Sequence, residues 1–435
     1  LVPWPQPSAF ASTGFSMTTK PRAKPAKKSP AKKLRKEPVP ETVSIPKAEV
    51  PRAPIHFSPV LCILNAPQQK LWSLSLAERL KKQFAAAGLA MTVSEAEART
   101  HNGPVILVRG DAVIDQPLIP VLLKRPNFLL LTDESASPSP IAASVRGSDV
   151  SRAIEILLGT KSLADAKLLA RAPAQLDMEF WKSLRKRETP YAMVVTAENR
   201  SAVEWRMFMG TYKGATDFIT KHLWPVPAFH ATRFLAPRGV SPNMVTTIAA
   251  LMTVLAFWFF LQGQFIPGLI AAWAMTFLDT VDGKLARTTL TSSKWGDYFD
   301  HGIDLIHPPF WYIAWGYGLL ATGTQWSSEV FWGVMAAILG GYVLQRAIEG
   351  IAIKWLGLEI HIWRPIDTFF RQITARRNPN LVVLTFFTAI ARPDWGLLAV
   401  AAWTVICLGL HALQLLMAFA EKRRNGPLSS WMTKP

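Results

Sequence analysis

Four aspartates lie close together in an otherwise apolar part of the chain. Asp279 and Asp282 are three residues apart, and Asp300 and Asp304 are four apart, so each pair lies on one face of a helix. Ionised groups at membrane depth are costly and usually face a cavity or a metal. Two antiparallel helices would aim both pairs at one site. Because clustered carboxylates repel one another unless cations neutralise them, we predict that this site binds divalent cations.

The chemistry of such a site follows from its ligands. An all-oxygen ligand set suits Mg²⁺ or Mn²⁺, and a site with two metal ions suits displacement at phosphorus. Gly283 would let a substrate approach the backbone closely. Arg287 lies about one helical turn beyond it and is able to fork onto phosphate oxygens.

The spacing resembles the signature of the CDP-alcohol phosphotransferase family, D-x2-D-G-x2-A-R-x8-G-x3-D-x3-D. Every fixed position of that signature is present between Asp279 and Asp304. In the family the aspartates hold two divalent ions, which bind the pyrophosphate of a CDP-linked donor, and the fourth aspartate is the proposed general base. The resemblance therefore implies two Mg²⁺ or Mn²⁺ ions at Asp279, Asp282, Asp300 and Asp304, with Asp304 as the catalytic base.

The resemblance also extends to the donor nucleotide. The segment S-P-N-M-V-T resembles a P-N-x-x-T element of the family whose Asn and Thr approach the nucleotide. The alternative is that it only begins a helix, capped by Ser241 with Pro242 at the first helical position. The residues that the resemblance places around the CDP-linked donor are Asn243, Thr246, Gly283, Ala286, Arg287 and Gly296.

The acceptor site carries a weaker signal. An alcohol phosphate acceptor needs cations that face the site, and Arg346, Arg376 and Arg377 are the candidates. The alternatives are that Arg346 pairs with Glu349 and that the other two arginines anchor to lipid headgroups. An unphosphorylated alcohol is equally compatible with the signature.

Apolar stretches dominate the chain from residue 240 to 424. The runs 244–262, 305–328 and 397–420 carry no Asp, Glu, Lys or Arg, and crossing a bilayer takes about 20 residues. With three shorter runs whose polar ends would line a cavity, the pattern predicts an α-helical integral membrane domain with six transmembrane helices. By resemblance this domain is the CDP-alcohol phosphotransferase domain, a homodimer that contacts membrane lipid.

Loop charges predict the orientation of this domain. Cations concentrate in alternate connections, and the connections near 263, 326 and 394 hold almost none. Because cytoplasmic loops collect Lys and Arg, both termini and the aspartates are expected on the cytoplasmic side of a bacterial-type inner membrane. The cations in question are Arg233, Arg238, Lys284, Arg287, Lys294, Lys354, Arg364, Arg371, Arg376, Arg377, Lys422, Arg423 and Arg424.

Residues 56–200 alternate strand-like and helix-like segments, which predicts a small α/β Rossmann-like soluble domain with a parallel sheet. VRGDAVID at 108–115 resembles the strand-end aspartate segment of nucleotidyltransferases. No glycine lies between His56 and Gly88, so no glycine-rich loop follows the first strand to hold a triphosphate. We interpret the domain as a degenerate relative in which Asp111 is a turn residue. The alternative is an active cytidylyltransferase and a bifunctional enzyme.

The remaining segments are a tail and a juxtamembrane region. Residues 1–55 are rich in proline and lysine, which predicts a disordered basic tail. The net charge of +18 is explained by this tail and by cytoplasmic flanks, so we expect no nucleic-acid partner. Residues 201–239 mix aromatics with cations, as in an amphipathic segment of the headgroup region. Lys213 and Asp217 there resemble a K-x-x-x-D element of the family's inositol-phosphate branch.

Together these patterns predict a phospholipid-biosynthetic enzyme. It would move a phosphatidyl-type group from a CDP-linked lipid to an alcohol or alcohol phosphate, with release of CMP. A non-catalytic membrane scaffold or a transporter is the rival from another class. The complete aspartate signature argues against it, and no inverted repeat supports a transporter.

Overall fold

The chain alternates strands with helices up to about residue 200 and is helical beyond it. The computed structural model describes residues 58–133, 137–178, 180–181 and 184–433, and the predicted basic tail lies outside them. The strands are β1 (Val60–Leu64), β2 (Lys70–Leu71), β3 (Leu74–Ser75), β4 (Thr92–Val93), β5 (Pro104–Arg109), β6 (Ala112–Ile114), β7 (Phe128–Leu131), β8 (Pro140–Arg146), β9 (Leu169–Arg171), β10 (Phe180–Trp181), β11 (Lys186–Arg187) and β12 (Ala192–Val194).

The helices of the α/β region begin at serine caps where the sequence provides them. Ser75 and Glu78 form a reciprocal capping box at the first helix, and Ser94 and Glu97 do the same at the second, which satisfies backbone N–H groups that have no partner within the helix. The helices are α1 (Leu76–Ala86), α2 (Glu95–Thr100), α3 (Ile119–Lys124) and α4 (Asp149–Leu157).

The central sheet has six strands in the order β4-β1-β5-β8-β7-β9. β1 runs parallel to β4 and β5, but β8 runs antiparallel to both β5 and β7. The predicted α/β region is confirmed, whereas the parallel Rossmann-like sheet is not. The reason lies in the connection: a parallel crossover needs about a dozen residues or more, and only 132–139 separate β7 from β8.

The second part of the chain is built from helices. Ser241 accepts a hydrogen bond from Met244 N at 3.2 Å and Pro242 is the first helical residue, as the sequence predicted. The helices are α5 (Arg200–Gly210), α6 (Pro225–Leu235), α7 (Pro242–Leu261), α8 (Phe265–Thr288), α9 (Lys294–Ala321), α10 (Ser328–Ile351), α11 (Pro365–Phe370), α12 (Arg377–Ala389) and α13 (Pro393–Asn425).

Among the described residues, four helices are long and apolar enough to cross a membrane: α7, α8, α10 and α13. The chain is therefore an integral membrane protein, but six spans are not confirmed. α9 is 28 residues long and carries the second aspartate pair. α12 has 13 residues, which is about 20 Å at 1.5 Å per residue and short of a hydrocarbon core of about 30 Å.

Two of the cations that the sequence assigns to a loop lie inside a helix. α8 continues to Thr288 and includes both Lys284 and Arg287. Lys284 is buried, its ammonium donates to Thr211 O at 3.2 Å, and it lies 3.3 Å from the centroid of the Tyr212 ring. The helix continues because no glycine or proline breaks it beyond Gly283 before its end.

The α/β region packs directly on the helix that carries the first aspartate pair. A shared apolar cluster includes Leu71 and Leu76 from the α/β region with Val281 and Leu285 from α8. Arg79 of α1 is buried and donates hydrogen bonds to Leu71 O and to Thr288 O. Because the last carbonyls of a helix lack partners within it, this arginine caps the C-terminal end of α8.

Candidate active site

Three of the four carboxylates predicted to form one site lie close together. Asp279 and Asp282 lie on α8 and Asp300 lies on α9, and one oxygen from each lies within 4.8 Å of the others. Ser293 caps α9 by accepting from Gly296 N at 3.0 Å, so α9 begins shortly after α8 ends. Two consecutive helices therefore bring the three side chains to a single point.

Asp282 is held by a hydrogen bond from the neighbouring helix α7. Thr246 Oγ1 donates to Asp282 Oδ2 at 2.6 Å. Within the described residues, the other oxygen, Oδ1, is buried and accepts no hydrogen bond. A buried polar atom without a partner is costly, so Oδ1 is available to coordinate a ligand.

Asp304 is tied to the cluster through an arginine. The guanidinium of Arg377, at the start of α12, forms an ion pair with Asp304 through Nη1 and with Asp279 through Nη2, the latter at 2.6 Å. The structure thus places Arg377 between two of the four carboxylates. The sequence predicted Arg377 as a residue of the acceptor site. In the structure it contacts the aspartates directly.

The other residues predicted for the donor lie on the same three helices. A Cβ at Gly296 would lie 2.9 Å from Asn243 Oδ1, so the starts of α7 and α9 meet there. A Cβ at Gly283 would lie 2.9 Å from Nη2 of Arg287, so the arginine passes over the glycine. Ala286 is half-buried on α8. Only small residues at 283 and 296 leave this arrangement undisturbed.

The donor set fits divalent cations. It consists of carboxylate oxygens, and one of them, Asp282 Oδ1, is buried and accepts no hydrogen bond within the described residues. Hard cations such as Mg²⁺ prefer oxygen ligands, and no nitrogen or sulfur ligand belongs to the cluster found among these residues. Asp279, Asp282 and Asp300 are therefore able to hold such an ion together.

The other two predicted acceptor residues meet at one carboxylate. Glu349 accepts from Arg346 at 3.1 Å and from His361 at 3.0 Å, and it also pairs with Arg376. Pairing of Arg346 with Glu349 was the alternative interpretation from the sequence. Arg346 and Arg376 therefore lie together around one acidic partner. Arg377, which pairs with the aspartates, directly follows Arg376 in the chain.

Sequence reasoning missed Arg371 and left Lys213 undecided. Within the part of the chain that the structure describes, Nε and Nη1 of Arg371 are buried without hydrogen-bond partners. Among the same residues, Lys213 forms no ion pair or hydrogen bond. Burial, followed by the charges of Arg185 and Arg287, lowers the pKa of Lys213 to about 8. The recurrence of arginine at 371, 376 and 377 was the signal available in the sequence.

The aspartate that follows Lys213 links this segment to α12. Asp217 Oδ1 accepts from Asn378 Nδ2 at 2.9 Å and from Thr220 N at 2.9 Å. Asn378 directly follows Arg377 in the chain. The K-x-x-x-D segment is thus hydrogen-bonded to the residue that follows the arginine between the carboxylates.

Comparisons with known proteins agree with this geometry. Residues 239–376 match the family model for CDP-alcohol phosphatidyltransferase. An archaetidylinositol phosphate synthase from Pyrococcus horikoshii is 46% identical over 73 residues, which are 17% of this chain and 38% of that protein. A phosphatidylinositol phosphate synthase from Streptomyces avermitilis is 36% identical over 95 residues, 22% of this chain and 37% of that protein.

A third relative is an uncharacterized CDP-alcohol phosphatidyltransferase class-I family protein from Schizosaccharomyces pombe. It is 35% identical over 86 residues, which are 17% of this chain and 22% of that protein. The chain thus spans less than half the length of each of these curated relatives. The matched segment, residues 239–376, contains all four aspartates and is similar to CDP-alcohol phosphatidyltransferases.

Proposed function

We propose that this protein transfers a phosphatidyl-type group from a CDP-linked lipid to a phosphorylated alcohol and releases CMP. The observation that carries the proposal is the convergence of Asp279, Asp282 and Asp300 within 4.8 Å, with Arg377 joining Asp279 to Asp304. Few structural roles need four carboxylates on two adjacent helices of a membrane domain, because burying them is costly.

Divalent cations are the proposed cofactor of this site. Asp279, Asp282, Asp300 and Asp304 would hold two Mg²⁺ or Mn²⁺ ions. When bound, such ions neutralise charge on the donor pyrophosphate and on the developing transition state. Thr246 orients Asp282 by its hydrogen bond. Asn243, Gly283, Ala286, Arg287 and Gly296 would line the nucleotide, with Arg287 as a charged donor to phosphate.

Asp304 is the proposed general base. The acceptor hydroxyl would lose its proton to the Asp304 carboxylate as its oxygen bonds to the lipid-side phosphorus, and the bridging P–O bond would break to release CMP. The ion pair with Arg377 fixes the orientation of this carboxylate. The same arginine pairs with Asp279, so Asp304 adjoins the three aspartates whose oxygens converge.

A groove beside α9 suits the lipid part of the donor. It encloses about 490 Å³ next to the second aspartate pair and is almost entirely apolar. Its lining includes Thr253, Val254, Tyr298, Phe299, Gly302 and Ile306. An acyl or isoprenoid chain bound there would keep the pyrophosphate at the aspartates while the chain stays in an apolar environment.

The cations around the site favour a phosphorylated acceptor. Arg346, Arg376, Arg371 and Lys213 supply more positive charge than Glu349 and Asp217 balance. The names of the two synthases that match this segment indicate inositol phosphate lipids as their products. We therefore propose a polyol phosphate such as inositol phosphate as the acceptor.

The test is an acceptor panel with the purified full chain in detergent. CMP release from CDP-diacylglycerol is measured with inositol phosphate, glycerol phosphate, inositol, serine and glycerol, each with Mg²⁺. We expect the highest rate with a phosphorylated polyol and the formation of a phosphatidyl product. Equal or faster turnover with the unphosphorylated alcohols would exclude the acceptor assignment, although the transferase assignment would stand.

A further inference from the structure

A short hairpin that precedes the family-matched segment reaches the proposed acceptor site. Its strands, β10 and β11, pair antiparallel with Phe180 opposite Arg187 and Trp181 opposite Lys186. Phe180 packs with Leu358, Ile362 and Met432 of the membrane domain. The hairpin is therefore attached to the loop that follows α10, on the side of the domain where Arg346 and Arg376 lie.

The backbone of this hairpin is fixed against the segment that carries Lys213. Gly214 N donates to Leu184 O at 2.9 Å. A Cβ at Gly214 would lie 2.4 Å from Arg185 O, so only glycine permits this approach. Arg185 itself has a φ of +49°, in the left-handed region that non-glycine residues rarely adopt and that clusters at functional sites.

The side chain of Arg185 is held by a single carboxylate. Its Nη1 lies 2.8 Å from Glu359 Oε2, and the side chains are 24% and 36% exposed. Glu359 lies two residues before His361, whose ring contacts Glu349 together with Arg376. A partly exposed ion pair of this kind contributes little to stability, about 0–1 kcal/mol, so a competing anion is able to replace Glu359.

Two further cations in the surroundings of Arg185 are incompletely paired within the described residues. Within the described residues, the ammonium of Lys213 has no partner, and two nitrogens of Arg371 are buried without one. Burial and the charges of Arg185 and Arg287 lower the pKa of Lys213. Donors left unpaired in this way are available to an anionic ligand.

We propose that Arg185 is a specificity-determining residue for the phosphorylated acceptor. In this proposal its guanidinium exchanges Glu359 for the acceptor phosphate, beside Lys213 and Arg371. The hairpin of the α/β region thereby completes a site that the family-matched segment, residues 239–376, leaves incomplete. The inference rests on the proposed function, and it adds a role for the part of the chain outside that segment.

The test uses four variants of the full chain: Arg185→Ala, Arg185→Lys, Glu359→Gln and Arg187→Ala. Loss of a charge-assisted contact to phosphate should raise the KM for inositol phosphate about 10- to 100-fold in Arg185→Ala. The KM for CDP-diacylglycerol should stay within about 2-fold of the wild type, and Arg185→Lys should recover part of the loss. Arg187 lies two residues after Arg185 in the hairpin and is exposed. Arg187→Ala should have the same KM values as the wild type.

Glu359→Gln separates this role from a structural one. If Arg185 acts on the acceptor, releasing it from Glu359 should leave the KM for inositol phosphate unchanged or lower it. If the ion pair only holds the hairpin, Glu359→Gln should raise that KM as much as Arg185→Ala, which would overturn the proposal. An unchanged acceptor KM in Arg185→Ala would overturn it as well.

A second readout does not depend on turnover. Inositol phosphate should raise the melting temperature of the wild-type protein in detergent, and this shift should be lost in Arg185→Ala and kept in Arg187→Ala. A shift that persists in Arg185→Ala contradicts the proposal. Wild-type protein that transfers to no acceptor would instead contradict the proposed function, while the binding readout still decides the role of Arg185.

Discussion

Thr246 occupies one oxygen of Asp282 and leaves the other for a ligand. Removing a group that orients a metal ligand typically lowers metal affinity or activity about 10- to 100-fold. We therefore predict that Thr246→Val weakens Mg²⁺-dependent activation by that factor while the protein still folds. The measurement is the Mg²⁺ concentration that gives half-maximal CMP release.

Thr247→Val is the matched control for this prediction. Thr247 is the next residue on α7 and is exposed, and its hydroxyl donates to Asn243 O of its own helix at 2.8 Å. Its variant should keep the wild-type Mg²⁺ dependence. Similar Mg²⁺ curves for the wild type and Thr246→Val would show that the hydrogen bond to Asp282 has no part in cation binding.

Asp304 is expected to act differently from the aspartates that converge with Asp282. Because Asp304 takes the acceptor proton in the proposed mechanism, Asp304→Asn should reduce CMP release by at least about 100-fold, in the upper range for a general base. It should keep most of the Mg²⁺-dependent binding of CDP, measured by calorimetry. Asp282→Asn should lose both. Near-normal turnover in Asp304→Asn would remove Asp304 from the mechanism.

At the scale of elements, α1 supports the helix that carries Asp279 and Asp282. Arg79 donates to the terminal carbonyl of α8, and burial lowers its pKa to about 10. Losing a hydrogen bond from a charged group to a buried acceptor costs about 1.5–3 kcal/mol. We predict that Arg79→Ala lowers the melting temperature in detergent, whereas Lys81→Ala, at an exposed position of the same helix, does not. Equal melting temperatures for both variants would mean that α8 does not need this cap.

The segment that follows β1 lacks the glycine-rich loop that would hold a triphosphate. The segment after β1 contains no glycine, and its Ala66 backbone packs on Gly110, where a Cβ would lie 2.3 Å from Ala66 Cα. Asp111 accepts from Arg109 at 3.0 and 2.7 Å, and Trp72 is buried against Phe208 and Phe229. These contacts fit the interpretation of Asp111 as a turn residue.

We therefore predict that the full chain releases no pyrophosphate above background from CTP with Mg²⁺ and a panel of sugar phosphates. Asp111→Ala is the control, because it removes a carboxylate at this strand end that would hold a metal. Pyrophosphate release by the wild type that disappears in Asp111→Ala would establish the bifunctional alternative.

At the scale of the whole molecule, the sequence predicted those features that a short stretch of residues determines. The aspartates and the start of α7 at Ser241 follow from helix spacing and capping alone. Strand β8, PIAASVR, went unpredicted because it begins with proline and is rich in alanine, both poor strand formers. Its position between β5 and β7 depends on long-range pairing.

The contacts that join the two parts of the chain were also beyond sequence reasoning. Arg79 and Thr288 are 209 residues apart in sequence, and neither belongs to a motif. The same holds for Arg185 and Glu359, which meet because the hairpin packs on the loop after α10. The cytoplasmic placement of the termini and the expected homodimer stay predictions of the same kind, because they depend on surfaces outside one chain.

The most direct test of the central claim is the dependence of phosphatidyl transfer on divalent cations. Purified full chain in detergent is given CDP-diacylglycerol and inositol phosphate, and CMP release is followed before and after EDTA and after excess Mg²⁺ or Mn²⁺. The carboxylate site predicts turnover that falls to background with EDTA and returns with either cation. Turnover that continues unchanged in EDTA would contradict metal-dependent transfer at these aspartates.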